Sequence, residues 1–409
     1  MRSYPSDWQV IRLAKAGTWL SGGTPPTANP RYWNGDIPWV SAASLKAFEI
    51  SDSDRNVTRL GASAGTRLVS PDTVVFVVRG MSLKKEFRIG ITVTEVAFGQ
   101  DCKALIPRGD LNARFLAYAI KARSHQVLCM VDEAGHGTGR LPTDQLGKLS
   151  IGFPPLPEQR RIAEILDSLE GSVSAERQAA EKLARVYDAH LVALLAGSNC
   201  TTQRWESVDL GSAGMWYSGG TPPTSNPSYW NGDIPWISAS SLKEFDILDS
   251  DRRITELGAC AGSRLVPEST ILFVVRGMSL KTEFRVGIAG RRLAFGQDCK
   301  AIIASPRFEP RFLAYTLKAK SQEVLAMVDE AGHGTGRLST GLLQRIRIGV
   351  PDKAEQRGIV KVLDHMGNLI HHGRVRCLKL TQLKHGLMQG LLTGQVKVAE
   401  AEKFVEAVA

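Results

Sequence analysis

Residues 131–141 read VDEAGHGTGRL, and residues 328–338 repeat those eleven letters 197 positions later. The same offset links Trp8 to Trp205, Gly80 to Gly277, Asp101 to Asp298, Asp167 to Asp364 and Gly197 to Gly394. No insertion or deletion separates the copies, so the chain is one unit written twice. A solenoid needs at least about three stacked units. Two copies imply instead a pair of like domains with a pseudo-twofold relation. What one half does, the other half is expected to do.

The 409 residues suit two domains, and a hydrophobic content of 43% suits globular cores. A net charge of +10 favours a polyanionic partner, nucleic acid before an anionic membrane. No run of about 18 apolar residues and no basic amphipathic terminus supports a membrane partner. Residues 1–17 lack the apolar core of a signal peptide. Of six cysteines, none is spaced C-x-x-C, and only Cys102 and Cys299 correspond under the repeat. A disulfide framework or zinc site shared by both halves would repeat its cysteines. We therefore expect reduced thiols in the cytoplasm and no metal. His371 and His372 are adjacent rather than four apart, and copy one has Ser174 and Ala175 there.

Each half has two textures. The first part is rich in Gly, Pro, Trp and short apolar runs. Val74 to Val78 reads as a buried strand between Pro71-Asp72 and Arg79-Gly80, with Ile271 to Val275 as its twin. Arg88 to Val93 and Lys103 to Ile106 read as further strands. Ala113 to Leu128 has helical spacing, and its twin starts at Pro310. The second part, from Glu158 to Ala196, has almost no Pro or Gly. Its apolar positions, among them Ile162, Ile165, Leu169, Val173 and Leu183, recur near the 3.5-residue period of a coiled coil. Gly197 and Gly394 stop the two helices.

The expected fold is therefore α+β: two pseudo-twofold-related globular α/β domains separated by two long antiparallel coiled-coil helices. The boundaries read as 1–153 and 201–350 for the domains, 154–200 and 351–397 for the helices, and 398–409 for a tail. A helix packed only on its own domain is the alternative.

A search for catalytic signatures fails. Phe153-Pro154-Pro155-Leu156 lacks the polar first residue and aromatic last residue of a nucleic-acid methyltransferase motif, and its twin, Val350-Pro351-Asp352-Lys353, loses the string. Pro71-Asp72 with Glu86 to Arg88 faintly resembles a metal nuclease, but Asp72 becomes Ser269 in the copy. No Walker A string and no paired Ser/His/Asp signature is present. We expect no active site and no cofactor.

Four repeated polar stretches are candidate DNA contacts. Gly135 to Arg140 offers His136, Thr138 and Arg140, repeated as His333, Thr335 and Arg337. Its glycines allow close backbone approach and its side chains are donors for phosphates or base edges. The alternative is a structural glycine turn. A second stretch starts at Ser21 and Thr24, repeated as Ser218 and Thr221, and runs on into YWNGDIPW. We read its aromatics as local core rather than stacking platforms. Lys46 and Lys243 follow it. The third stretch carries Arg79, Ser82, Lys84, Lys85 and Arg88, repeated as Arg276, Ser279, Lys281, Thr282 and Arg285. A basic loop after a strand suits a phosphate clamp; a solvated hairpin turn is the alternative. The fourth, FGQDCKA at 98–104, is repeated unchanged, and we read it as a turn at the edge of a core, with Gln100 an adenine reader otherwise.

SGGTP with YWNGDIPW, then RG-S, GTGR and PPLPEQRRIAEILD leading into a long helix, together resemble the specificity subunit of type I restriction–modification systems. The likeness covers nearly the whole chain and occurs twice. It implies that the globular parts are target-recognition domains on double-stranded DNA and the helices are spacers. It implies as partners two modification subunits, which methylate adenine with S-adenosylmethionine, and restriction subunits, which translocate and cleave DNA with ATP. It implies no catalysis in this chain.

Family members usually carry two dissimilar recognition domains. Here only four of 24 positions differ between Ser21–Ser44 and Ser218–Ser241. Two like heads on a twofold axis read inverted half-sites, so we expect an interrupted palindrome. The substitutions Arg31 to Ser228, Lys85 to Thr282 and Thr94 to Arg291 are where the symmetry can break. The rivals are an enzyme acting alone and a coiled-coil protein-interaction adaptor without DNA specificity.

Overall fold

The computed structural model describes residues 4–134, 137–195, 205–331 and 334–406. It divides into two compact units, Met1–Arg177 with Val375–Ala409, and Gln178–Arg374.

In the first unit, the Val74–Val77 strand has all four side chains buried. It lies at the centre of a five-stranded sheet ordered Gly17–Ser21, Cys102–Pro107, Val74–Val77, Ile89–Thr92, Glu49–Ile50. All neighbours are antiparallel except Glu49–Ile50, which runs parallel to Ile89–Thr92. The helix Ala113–Lys121 covers this sheet, and Phe115, Leu116, Ala119 and Ile120 are fully buried. The Asn112 side chain caps it, accepting the Phe115 N–H at 2.9 Å. The helical spacing to Leu128 resolves into two helices, because Arg123 leaves the helical region (φ −102°, ψ 15°) before Ser124–Leu128 begins.

A second sheet orders Asn56–Val57, Trp33–Val40, Val96–Phe98 and Arg67–Val69 around a separate small core of Trp33, Ile37, Trp39, Val57, Ala62 and Ala97. A third joins Asp132–Ala134, Thr138–Arg140 and Arg79–Gly80. Gln9–Arg12 pairs with Ser150–Phe153. The second unit has the same four sheets, with Ile271–Val274 at the centre of the largest.

The two long helices are Leu156–Leu195 and Lys353–Leu391. Their 3.5-residue pattern is explained by mutual packing. In the first unit Ile162, Leu166, Leu169 and Val173 share a core with Leu387, Met388 and Leu391. Glu170 pairs with Lys384, and Glu176 lies 3.8 Å from Arg376, so the strands of this coil run antiparallel. In the second unit Tyr187, Leu191 and Leu195 share a core with Ile359, Leu363 and Ile370. The fold is thus α+β, two repeated domains with long coiled-coil helices. Gly394, at φ +71°, ends the second helix: its N–H reaches Leu391 O at 3.3 Å and the Gln395 N–H reaches Gly390 O at 2.9 Å, a Schellman closure. Gly197 lies outside the described residues.

Each long helix is locked to a domain. Asp167 accepts from Arg114 at 2.9 Å and from the Tyr118 hydroxyl at 2.8 Å. Asp364 accepts from Arg311 at 2.6 Å and from Tyr315 at 2.5 Å.

Candidate nucleic-acid interface

The buried tryptophans set the first polar loop. Trp39 donates its ring N–H to Gly23 O at 3.1 Å, and Trp33 donates to Pro26 O at 3.3 Å. Their rings meet edge to face at 5.4 Å, and Arg55 lies 3.7 Å from the Trp33 ring centre. These aromatics are core, and their N–H groups hold the loop of Ser21 and Thr24. A Cβ at Gly22 would come within 2.3 Å of Gly99 O, which explains that glycine.

The loop in turn meets the FGQDCKA turn. The Thr24 hydroxyl bonds the Gln100 side chain, and Lys103 donates to the Ser21 hydroxyl at 2.5 Å. In the second unit Thr221 bonds Gln297 at 2.5 Å and Lys300 donates to Ser218 at 2.5 Å. The Asp101 carbonyl accepts the N–H groups of Val78 at 2.8 Å and Arg79 at 3.2 Å. That pair of bonds brings the third stretch alongside.

Arg79-Gly80 is therefore not a loop. It is a short strand whose register pairs Gly80 with Gly139 and Arg79 with Arg140, and Arg140 in turn with Asp132. Cross-strand partners share a sheet face, so Arg79 and Arg140 stand side by side. Both are exposed. Asp132 opposite Arg140, Asp329 opposite Arg337 and, in the second unit, Asp298 at 3.8 Å from Arg276 offset part of the repulsion between the paired guanidinium groups, and a polyanion would offset the rest. Gly139 is required by packing, since a Cβ there would come within 2.9 Å of Leu83 Cβ. Gly137 is at φ +71°, and a Cβ on it would come within 3.3 Å of Lys84 Nζ. Two of the three glycines in this stretch thus have structural reasons, and they bring the hairpin against Lys84. The second unit pairs Arg276 with Arg337 and Gly277 with Gly336 in the same way. There Arg276, Gln297, Lys300, Asp329, Glu330 and Arg337 line a cavity of about 420 Å³. A larger cavity, about 510 Å³, contains none of these residues and is lined by Val192, Trp205, Lys320 and Arg347 among others.

The expected site residues separate into groups. Ser21, Thr24, Arg79, Lys84, Thr138 and Arg140 converge, as do Ser218, Thr221, Arg276, Lys281, Thr335 and Arg337. Lys84 lies 3.5 Å from Glu133 and Lys281 3.2 Å from Glu330. Lys85 is exposed next to Lys84 in sequence, and Lys46 and Lys243 are exposed with no contact to this cluster recorded among the described residues. The Ser82 and Ser279 hydroxyl oxygens are buried without a hydrogen-bond partner. Arg88 donates to Glu86 at 3.1 Å and to the carbonyls of Ala42 and Ala43 at 3.2 Å, and Arg285 binds Glu283 and Ala239 O likewise. These two arginines brace the turn at 41–44 and its twin. His136 and His333 lie outside the described residues.

Sequence reasoning left Lys103 and Lys300 out of the candidates. Their signal was the unchanged FGQDCKA stretch. The adjacent thiols of Cys102 and Cys299 are each pushed up to about 12 by burial and then by the neighbouring Asp101 or Asp298. They stay protonated and serve as core. Among the described residues no group of three or more His, Cys, Asp or Glu is arranged to hold a metal ion, and no helix is long and apolar enough to cross a membrane.

Residues 5–185 and 202–379 each match the type I restriction modification DNA specificity domain. The chain is 22% identical over 422 aligned positions to the type I restriction enzyme MjaIX specificity subunit of Methanocaldococcus jannaschii, covering 97% of this chain and 95% of that one. It is 28% identical over 258 residues to the type I restriction enzyme EcoR124I/EcoR124II specificity subunit of Escherichia coli, covering 60% of this chain and 62% of the relative. The crystal structure of the type I restriction–modification S subunit from M. genitalium has the same fold, with a TM-score of 0.63 at 15% identity over 96% of this chain and 97% of that one. With both halves matched, the chain belongs to the type I restriction–modification DNA specificity family.

Proposed function

We propose that this chain is the sequence-reading component of a type I restriction–modification assembly, binding double-stranded DNA and carrying no catalysis of its own. The observation that carries the reading is the repeated arginine pair: Arg79 beside Arg140 in one unit, Arg276 beside Arg337 in the other, each on the same short sheet beside the same hydroxyl–lysine contacts. Like sites read like half-sites, so the target is an interrupted palindrome with near-identical halves. The assembly supplies chemistry through two modification subunits that methylate adenine and through restriction subunits, in the cytoplasm.

Selection of bound sequences from random duplex DNA, using the full chain with its modification subunit, tests this. An inverted repeat with a fixed gap is expected. A bipartite motif with unrelated halves overturns the palindrome and keeps DNA reading. No enriched motif overturns DNA reading and favours a protein-interaction adaptor.

A further inference from the structure

The exposed apolar side chains fall into two kinds. Val10, Met215, Leu248 and Leu342 are exposed. Their equivalents in the other unit are Ser207, Thr18, Ser51 and Gln145. Those positions accept polar residues, as surface positions do. Met81 and Met278 differ. Both copies hold methionine there, 64% and 63% exposed. Leu60 and Leu257 also stay apolar, on short helices that carry none of the site's residues, and exposed Ile106 and Val186 have apolar twins, Ile303 and Leu383, that are half-buried. Met81 lies inside the basic cluster, between Arg79 and Lys84.

The turn that presents Met81 is braced. Gly80, at φ +151°, turns the chain out of the strand, a conformation that L side chains rarely adopt. Three residues on from Gly80, Leu83 is 2% exposed and packs against Gly139. The Ser82 carbonyl accepts the N–H groups of Lys85 at 2.9 Å and Glu86 at 2.7 Å. Gly277 and Leu280 do the same for Met278. Exposure of the thioether is thus built in twice.

A thioether is polarizable and forms at best weak hydrogen bonds. It cannot hold a phosphate, although it is surrounded by groups that can. Of the features that a duplex presents at its base edges, the apolar one is the 5-methyl group of thymine in the major groove. We propose that Met81 and Met278 are specificity-determining residues that contact a thymine methyl in each half-site, while Arg79 and Lys84 and their twins neutralise phosphates. This inference rests on the DNA-reading function proposed above.

The test uses the full chain with its modification subunit and the duplex selected by the wild type. Thymine is replaced by uracil one position at a time, which removes only the methyl. Wild type should lose affinity about four-fold at one position per half-site, the worth of one buried methyl. The pair Met81→Gln and Met278→Gln, similar in length but polar, should bind thymine and uracil sites equally. The pair Met81→Leu and Met278→Leu should keep the preference. An unchanged thymine preference in the glutamine variant overturns the proposal, as does a selected site with no thymine-over-uracil preference anywhere. Loss of modification-subunit binding with intact DNA selection also overturns it, and places a protein on the methionine. A wild type that selects no sequence fails at the DNA-reading step itself, and the methionine proposal falls with it.

Discussion

Gln159 reaches Asn112 from the start of the long helix: its side-chain oxygen accepts the Asn112 N–H at 2.8 Å. Its amide nitrogen donates to Asp110 O at 2.9 Å and Pro154 O at 2.8 Å, and the residue is fully buried. Gln356 makes the equivalent bonds to Glu309 N, Arg307 O and Pro351 O. Gln159→Leu removes the partner of three backbone groups, of which the Pro154 carbonyl is buried, Asn112 is half-buried and Asp110 is exposed. At about 1 kcal/mol or more for the buried group and less for the others, the loss is about 1–2 kcal/mol, or a fall in Tm of roughly 2–8 °C for a unit of this size. Calorimetry of the variant should show one unit weakened and the other unchanged. A fall of less than two degrees would mean that other groups replace these bonds.

How much of this was legible in the sequence depended on whether the signal was local. The Val74–Val77 strand and the long helices follow from periodicity, and the equality of the halves follows from the constant offset. The tryptophans read as core because alternate large apolar residues need a shared interior. The site itself was only partly legible. Arg79 and Arg140 are neighbours through the register of a sheet that no local pattern announces. Arg88 has the same composition as a phosphate clamp, yet its guanidinium binds carbonyls at Ala42 and Ala43. Two apparently unrelated charge reversals, Arg59 to Glu256 and Glu95 to Arg292, prove to be one ion pair with its members exchanged.

The antiparallel coil differs between the units where Glu170 meets Lys384, because the equivalent positions hold Gly367 and Tyr187. Burial alone would raise the Glu170 carboxyl, but the hydrogen bond and charge of Lys384, with Lys121 and Arg177, hold it below its ordinary value. A carboxyl depressed in the fold stabilises it above the unfolded value of about 4.3 and loses that contribution as pH falls through the folded value. Protection factors, that is exchange rates corrected for the intrinsic slowing of amide exchange in acid, should therefore fall across 160–177 and 375–391 as the pH drops. Lys384→Met should weaken this segment by about 1 kcal/mol at neutral pH, allowing for solvent screening. It should also weaken the local acid response, since Lys121 and Arg177 remain to oppose the burial that favours the protonated carboxyl. An acid response unchanged by the substitution would assign it to other carboxylates.

Asp72 and Ser269 occupy the same tight turn in the two units, at φ +63° and +67°. Aspartate tolerates the left-handed region better than serine does. A residue with a Cβ costs about 1–2 kcal/mol there, and glycine returns about 0.5–1 kcal/mol of that through its own backbone entropy. Ser269→Gly should therefore stabilise the second unit by roughly 0.5–1 kcal/mol, read as a higher urea midpoint with an unchanged slope. Asp72→Gly should gain less. Equal gains would show that the aspartate side chain gives no local support.

Arg79 and Arg276 separate backbone binding from base reading. If each holds a phosphate, Arg79→Ala with Arg276→Ala should weaken binding to all DNA sequences alike, and the slope of log affinity against log salt should fall by about two. Arg140 and Arg337 stand beside them on the same sheet face. If they read guanine edges, Arg140→Ala with Arg337→Ala should cost about 1–3 kcal/mol per half-site and relax the selected motif at one symmetric position. Titrations at several salt concentrations, against the selected site and a scrambled one, distinguish the roles. The same uniform loss from both pairs would make all four arginines phosphate contacts and leave base reading to Gln100, Thr24 and the methionines.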